Sequence, residues 1–232
     1  MILQKFIAQS GYCSRRQAEE YIRAGRVFVN EKKAELGQVY QIGDVVRVDK
    51  QLIEEQKNKI YLAVNKPVGY VCTNAMFKDE KSVFELLSKE YHGRGLFAVG
   101  RLDKNSRGLV VLTNDGDWAN LMTHPRYEHE KEYVVTINNS QLTINQSKEI
   151  IAYFGNGIDI GEGDGVVRVK DVEYLGEGRF RIILTEGKKR QIRRMFKVVG
   201  LEVEDLCRVR IGDVQLSGIK ESEYKIIKIN KS

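Results

Sequence analysis

Phe97–Gly116 reads FAVGRLDKNSRGLVVLTNDG, and its rhythm decides the architecture. Two apolar runs, Leu96–Leu102 and Gly108–Thr113, flank a short polar loop, Lys104–Arg107, and the turn residues Asn114-Asp115-Gly116 close the unit. Apolar runs of this length bounded by turn signals predict strands. Working outward, strands are also predicted at Ile60–Asn65, Lys131–Ile137, Val166–Tyr174, Arg179–Thr185 and Val203–Ile211. Helical patterns mark Ser82–Glu90, Asp117–Met122, Thr143–Phe154 and Lys189–Val199. Alternating strands separated by turns, with helices at their side, predict an α+β fold around a mostly antiparallel sheet. The glycines at 161, 163 and 165 (GEGDG) lack the Lys-Ser/Thr of a phosphate loop and predict a hairpin turn.

Residues 1–50 read as a small separate unit. Ile2, Leu3, Phe6 and Ile7 have helical spacing, which Gly11 breaks. Ser14 with Gln17 three residues on has the form of a capping box opening a helix over Arg15–Ala24, ended by Gly25. Arg26–Asn30 and Asp44–Asp49 alternate as short strands joined through Gly37 and Gly43. The unit holds nine basic against six acidic residues, with Arg15, Arg16, Arg23, Arg26, Lys32 and Lys33 crowded into it. The polar stretch Gln51–Lys59 (QLIEEQKNK) is expected to be a linker, and residues 60–232 a larger domain.

The chain has 232 residues, 42% of them hydrophobic, which is enough for two modest cores. A formal net charge of +6 and a pI of about 9.1 suit a polyanionic partner. An anionic membrane surface would fit the charge, but no segment joins a broad apolar face to flanking lysines. No apolar run approaches ~18 residues, so neither a signal peptide nor a spanning helix is expected. Cys13, Cys72 and Cys207 are odd in number and far apart, and no CxxC or Cys/His ligand spacing accompanies them. They indicate neither a disulfide framework nor a zinc site, and a reducing cytoplasm is the expected setting. His92, His124 and His129 show no metal spacing either, so no metal and no cofactor is expected.

Two segments stand out as chemistry. Glu186–Lys197 (EGKKRQIRRMFK) holds six basic residues and one acid. Arg190, Arg193, Arg194 and Lys197 share one helical face, and Ile192, Met195, Phe196 and Val199 the opposite one. Docking of the apolar face would turn the basic face outward or into a cleft, toward phosphates or a carboxylate. A plain solvated helix would look similar, except that such faces usually mix acids among the bases. The second segment delivers Asp103 to the end of a predicted strand, beside Arg101, Lys104 and Arg107. Nearby cations would keep it ionised, as a nucleophile or base requires. By itself it reads first as a turn aspartate capping Lys104-Asn105, and Tyr133 in EKEYVV as a packed strand tyrosine.

Taken together, the residues resemble a known family. LQKFIAQSGYCSRRQAEEYIRAGRVFVNE resembles an S4 RNA-binding domain. LAVNKPVGYVCT at Leu62–Thr73, GRLDKNSRGLVVLTNDG at Gly100–Gly116, EGKKRQIRRMF at Glu186–Phe196 and CRVRIGDVQLSGI at Cys207–Ile219 resemble the RsuA/RluB/RluE/RluF family of ribosomal RNA pseudouridine synthases. The resemblance spans about residue 2 to about residue 220, in the family's order. It implies Asp103 as the catalytic aspartate, Arg101 beside the flipped uridine, and Tyr133 stacking on the target base as a candidate proton acceptor. It further implies Arg193 pairing with the aspartate, Ile192 lining the uracil pocket, and a largely structural Lys66-Pro67. Ser106 stands where the family usually has Thr, which keeps the hydroxyl. GRLDKNS and the HEKEY before the strand are closest to the RluF-like subgroup acting on large-subunit (23S) RNA, although small-subunit (16S) members share the motifs.

The implied reaction breaks the N1–C1′ bond of a flipped uridine, turns the base and joins C5 to C1′. Arg190, Arg194 and Lys197, with Arg15, Arg16, Arg23 and Arg26 of the S4 unit, are the expected RNA contacts. The partner is ribosomal RNA, and the protein is expected to act as a monomer without a membrane. A non-catalytic S4-type ribosome-assembly factor would suit the composition equally. Asp103, Tyr133 and Arg193 together discriminate against it, because a binder has no need of that set. A carboxylate nuclease fits less well, lacking an acidic metal cluster or histidine pair.

Overall fold

A computed structural model describes residues 1–56, 58–74, 79–138 and 142–229. Residue 57 of the expected linker and residues 230–232 of the expected larger domain lie outside the described residues. The chain opens with helices α1 (Leu3–Gln9) and α2 (Arg15–Arg23) and strands β1 (Val27–Val29), β2 (Lys32–Lys33), β3 (Val46–Val48) and β4 (Gln51–Ile53). Ser14 caps α2 reciprocally with Gln17, as the sequence predicts. The four strands form an antiparallel sheet in the order β2-β1-β3-β4. Leu3, Phe6, Ile7, Ala18 and Ile22 of the helices pack with Val27, Val29, Val46 and Val48 into a core of their own.

The expected linker thus begins as sheet. Ile53 is buried and pairs with Val46, so hydrogen bonding and one apolar anchor carry the strand into a stretch whose charges suggest coil. Beyond it come β5 (Tyr61–Lys66), β6 (Tyr70–Val71), β7 (Lys81–Ser82), β8 (Phe97–Val99), β9 (Arg107–Thr113), α3 (Gly116–Thr123), β10 (Lys131–Ile137) and α4 (Ile144–Asn156). Then follow β11 (Ile158–Asp159), β12 (Val166–Val167), β13 (Asp171–Gly176), β14 (Arg179–Leu184), α5 (Gln191–Val198), β15 (Val203–Ile211), β16 (Val214–Gln215) and β17 (Tyr224–Ile226). The helix expected over Ser82–Glu90 is two 3-10 turns, Val83–Leu86 and Lys89–Tyr91, the first closed by a Ser82–Glu85 capping box. The strand expected at Val166–Tyr174 splits into β12 and β13, and β12 pairs with β11 across the predicted glycine hairpin.

Among the described residues nine strands make one sheet, ordered β13-β14-β10-β15-β9-β5-β17, with β16 added to β15 and β8 to β9. All pairings are antiparallel except β15 with β9. Strand alternation divides the side chains between two faces. Leu62, Val64, Val110 and Leu112 meet Ile150 and Phe154 of α4 and Ile192, Met195 and Phe196 of α5. Ala63, Leu109 and Val111 meet Ala119 and Met122 of α3. Phe196 anchors α5 edge-on against Phe154 and Phe180, with ring centroids 5.0 and 5.3 Å away. The N-terminal unit touches this body through a Lys5–Asp117 ion pair (2.6 Å), and Gln56, in the segment after β4, accepts from Asn114 (Nδ2 to Oε1, 3.0 Å). No helix among the described residues is long and apolar enough to cross a membrane.

Candidate active site

The sheet forks where Asp103 leaves it. Strand β9 shares one edge between two neighbours. Arg107 and Gly108 at its start pair with Cys207 and Arg208 of β15, whereas Val111–Thr113 at its end pair with β8. Strands β15 and β8 therefore part beside Leu109 and Val110. The loop from β8 to β9 carries Asp103 across this opening.

That loop is held by its backbone from several directions. Arg208 Nη1 donates to the Arg101 carbonyl (3.4 Å) and Arg193 Nη2 to the Asn105 carbonyl (2.7 Å). Cys72 Sγ accepts from Leu102 N (3.5 Å) and donates to Leu102 O (3.7 Å). Gly69 N donates to Lys104 O (2.8 Å), and Ser106 N closes the turn on Asp103 O (3.0 Å). Asp103 itself is exposed, and among the described residues its carboxylate makes no ion pair or hydrogen bond. Fixed backbone with a free carboxylate is an arrangement suited to presenting an acid to a ligand.

The surroundings are cationic. Lys66 ends β5 at 0% exposure, and its Nζ donates to Pro67 O (3.0 Å) and Tyr70 O (2.8 Å). Burial pushes its ammonium down to about 8. Cys72 and Asp103 oppose that shift, and Arg208 adds to it. Arg208 is 2% exposed and Tyr133 8%. The register aligns Ile182, Tyr133, Arg208, Gly108 and Lys66 as successive partners across five strands. Gly108 is required there. Its φ is +102°, and a Cβ would stand 2.3 Å from Arg208 O, so only glycine lets β9 and β15 close beneath the loop.

The structure gathers some expected site residues and separates others. Tyr133, Leu102 and Ile192 (3% exposed) share one buried cluster, and Arg101 stands exposed with no side-chain partner among the described residues. Arg193 lies near enough to sense Asp103 but does not pair with it, contrary to what the resemblance implies. Its Nη1 and Nη2 donate to Val203 O (2.8 Å) and Asn105 O, and its Nε is buried without a partner among the described residues. Docking of α5 through Ile192, Met195 and Phe196 sets the fork between the start of β15 and the loop, where it bridges two carbonyls. Burial, then Arg190, draws the Arg193 pKa below the usual arginine range.

Arg194 is a second correction. It does not face outward for phosphates: its Nη1 meets Asp164 (2.6 Å), and its other nitrogens reach Ile160 O and Gly161 O. The Gly161–Gly165 hairpin folds onto the helix and takes up this side chain, leaving it 11% exposed. Arg190 and Lys197 remain exposed, although Arg190 sits one residue before α5 in a left-handed conformation (φ 52°). In the N-terminal unit Arg15, Arg16 and Arg23 are exposed and unpaired among the described residues. Arg26, by contrast, is clamped to Asp49 through Nε (2.8 and 3.0 Å) and lies 4.1 Å from the Tyr21 ring centre. Sequence reasoning passed over Arg208 and Cys72. The first of the two arginines within CRVRIG was the visible signal, but its burial depends on strands far away in the chain.

A shallow groove of about 470 Å³ bounded by Glu132, Arg210, Leu216 and Ile219 holds none of the expected residues, and its Arg210 is already paired with Glu130 and Glu132. The loop at the fork is the better candidate.

Comparison with known proteins shows the family. The family profile for RNA pseudouridylate synthase matches residues 60–197, and the S4 domain profile matches residues 3–46. The chain is similar to the dual-specificity RNA pseudouridine synthase RluF of Escherichia coli O6:H1, with 41% identity over 96% of this chain and 74% of the relative. It is also similar to ribosomal large subunit pseudouridine synthase B of Vibrio cholerae, with 37% identity over 92% of this chain and 67% of the relative. A crystal structure of a pseudouridylate synthase superposes with a TM-score of 0.70 and 30% identity, covering 98% of this chain and 96% of that one. The fork in the sheet, the loop it presents and these matches together make the chain a member of the RNA pseudouridylate synthase family with an S4 domain at its N-terminal end.

Proposed function

We propose that this synthase isomerises a uridine of ribosomal RNA, in the large subunit, with Asp103 as the reacting carboxylate. The observation that carries the reading is the exposed, unpaired carboxylate on a loop whose flanking backbone is hydrogen-bonded from several elements. Flipping the uridine out of its stack costs a few kcal/mol. Stacking on an aromatic ring returns ~1–3 kcal/mol, a role suited to Tyr133. Arg193 lies within electrostatic reach of Asp103 while it holds the loop, without occupying the carboxylate. Ile192 supplies an apolar wall for the uracil.

Breaking N1–C1′, turning the base and joining C5 to C1′ releases the C5 hydrogen as a proton, for which Tyr133 is the candidate acceptor, and the freed N1 takes up a proton from solvent, so that the product is an isomer of the substrate. Oxidation and group import play no part, so no cofactor is required. Arg101, Arg190 and Lys197 near the site, and Arg15, Arg16 and Arg23 on the S4 unit, are free to meet phosphates. The protein works as a monomer in the cytoplasm. The large-subunit assignment draws on the name of the Vibrio cholerae relative, and the dual specificity in the name of the Escherichia coli relative argues for screening more than one RNA. Carbodiimide mapping by primer extension on total RNA treated with the protein tests this. A new stop in large-subunit RNA is expected. A stop confined to small-subunit RNA would refute the target, and no stop anywhere would refute the ribosomal reading.

A further inference from the structure

Arg208 is placed where an arginine is costly. It lies on a central strand at 2% exposure, and among the described residues no carboxylate stands within ion-pair distance. Lys66, another buried cation, is close enough to be disfavoured by it. Its Nη2 is buried with no partner among the described residues. Burial of an uncompensated charge is a poor device for stability, and an apolar side chain would fill the space at less cost.

What the guanidinium does is bridge the fork. Its Nε donates to Leu109 O (2.8 Å), at the point on the β9 edge that lies between the partners of β15 and those of β8. Its Nη1 donates to Arg101 O, two residues before Asp103. The planar guanidinium, with donors on separate nitrogens, takes both carbonyls from one side. The backbone bearing the acid is thereby tied to the centre of the sheet.

We propose that Arg208 is a positioning residue for Asp103, its guanidinium bridging the opening between β8 and β15 and fixing the chain from which the carboxylate is presented. The proposal rests on Asp103 being the reacting group. It acts through backbone, so its loss lowers turnover and leaves RNA binding intact.

The test measures tritium release from C5-labelled RNA, together with RNA affinity and thermal midpoint, for Arg208→Met, Arg208→Lys and Arg208→Ala. Arg208→Met is expected to lose roughly 100-fold in kcat, the scale set by ångström misplacement of a catalytic group, with KM and RNA affinity within about twofold. Arg208→Lys keeps the charge and can reach one carbonyl, so it recovers roughly tenfold of that loss. Ethylguanidinium added to Arg208→Ala restores kcat by about tenfold or more. If the methionine variant fails to fold, the lysine variant and the guanidinium rescue decide. Turnover near wild type in a folded variant overturns the proposal. So does equal loss in all three variants, unrescued by ethylguanidinium and tracking the thermal midpoint. Asp103→Asn, run in parallel, separates the two levels. An active asparagine variant removes the functional reading, whereas an inactive one beside a fully active Arg208→Met removes only the positioning role.

Discussion

Lys66→Met, compared with wild type across pH, probes the cationic floor beneath Asp103. The ammonium's pKa falls from 10.5 to about 8 because the side chain is withdrawn from water. A difference of ~2.5 units at ~1.36 kcal/mol per unit corresponds to roughly 3 kcal/mol against keeping the charge in the folded state. The sign follows from linkage. Below the folded pKa the lysine is protonated in both states and the full penalty applies. Between the folded and unfolded values the unfolded chain binds more protons, so wild-type stability rises with pH. Above the unfolded value the penalty is gone. The methionine variant has no such term, so wild type should gain roughly 2–3 kcal/mol on it between about pH 7 and about pH 10.

The absolute difference at neutral pH is less informative. The variant escapes the charge penalty but leaves Pro67 O and Tyr70 O without their donor, at ~1–3 kcal/mol for each buried acceptor. Urea titrations followed by Trp118, the one tryptophan of the sequence, report on the larger domain directly. Stabilities that stay parallel across the range, or a wild type that loses ground as pH rises, would refute a desolvated ammonium at this position.

Three further outcomes follow from the geometry. Gly108→Ala forces a positive φ, at ~1–3 kcal/mol, on a Cβ that also meets backbone, so a total loss above ~3 kcal/mol in urea is expected and one below ~1 kcal/mol would contradict the close approach of β9 and β15. Arg194→Ala leaves Asp164 with only the longer Lys188 pair (4.0 Å) and should lower stability by ~1–3 kcal/mol with RNA affinity unchanged within about twofold. A marked drop in affinity at full stability would return Arg194 to the RNA-binding surface. Replacing Arg15, Arg16 and Arg23 by Ala should flatten the log–log salt dependence of RNA binding by about 2, at ~0.7 per lost contact on single strands, while kcat at saturating RNA holds. An unaltered slope would clear the S4 arginines of phosphate contact.

Much of the fold was legible because its signals are local. Ser14 and Gln17 reach each other within one helical turn, so four residues suffice to predict the start of α2. The docking face of α5 was readable for the same reason: Ile192, Met195 and Phe196 recur at helical spacing and are all buried. Pairings set by distant chain were harder to read. The far edge of the sheet is made by Tyr224–Ile226 on Leu62–Val64, and nothing in either segment names the other. The candidate site divides in the same way. Asp103 could be placed on a loop after a strand from its own neighbourhood. Where each arginine spends its donors depends on which carbonyls and carboxylates arrive from elsewhere. Arg193 meets Val203 and Asn105 instead of Asp103, Arg194 meets the hairpin, and Arg208 disappears into the fork.

The account stands or falls on Asp103. Asp103→Asn is nearly isosteric and breaks no hydrogen bond or ion pair among the described residues, so the fold and the affinity for RNA should be retained. Tritium release from C5-labelled uridine in substrate RNA, measured at saturating RNA on the folded variant, should fall to background. Release near the wild-type rate would contradict the claim that this carboxylate performs the chemistry.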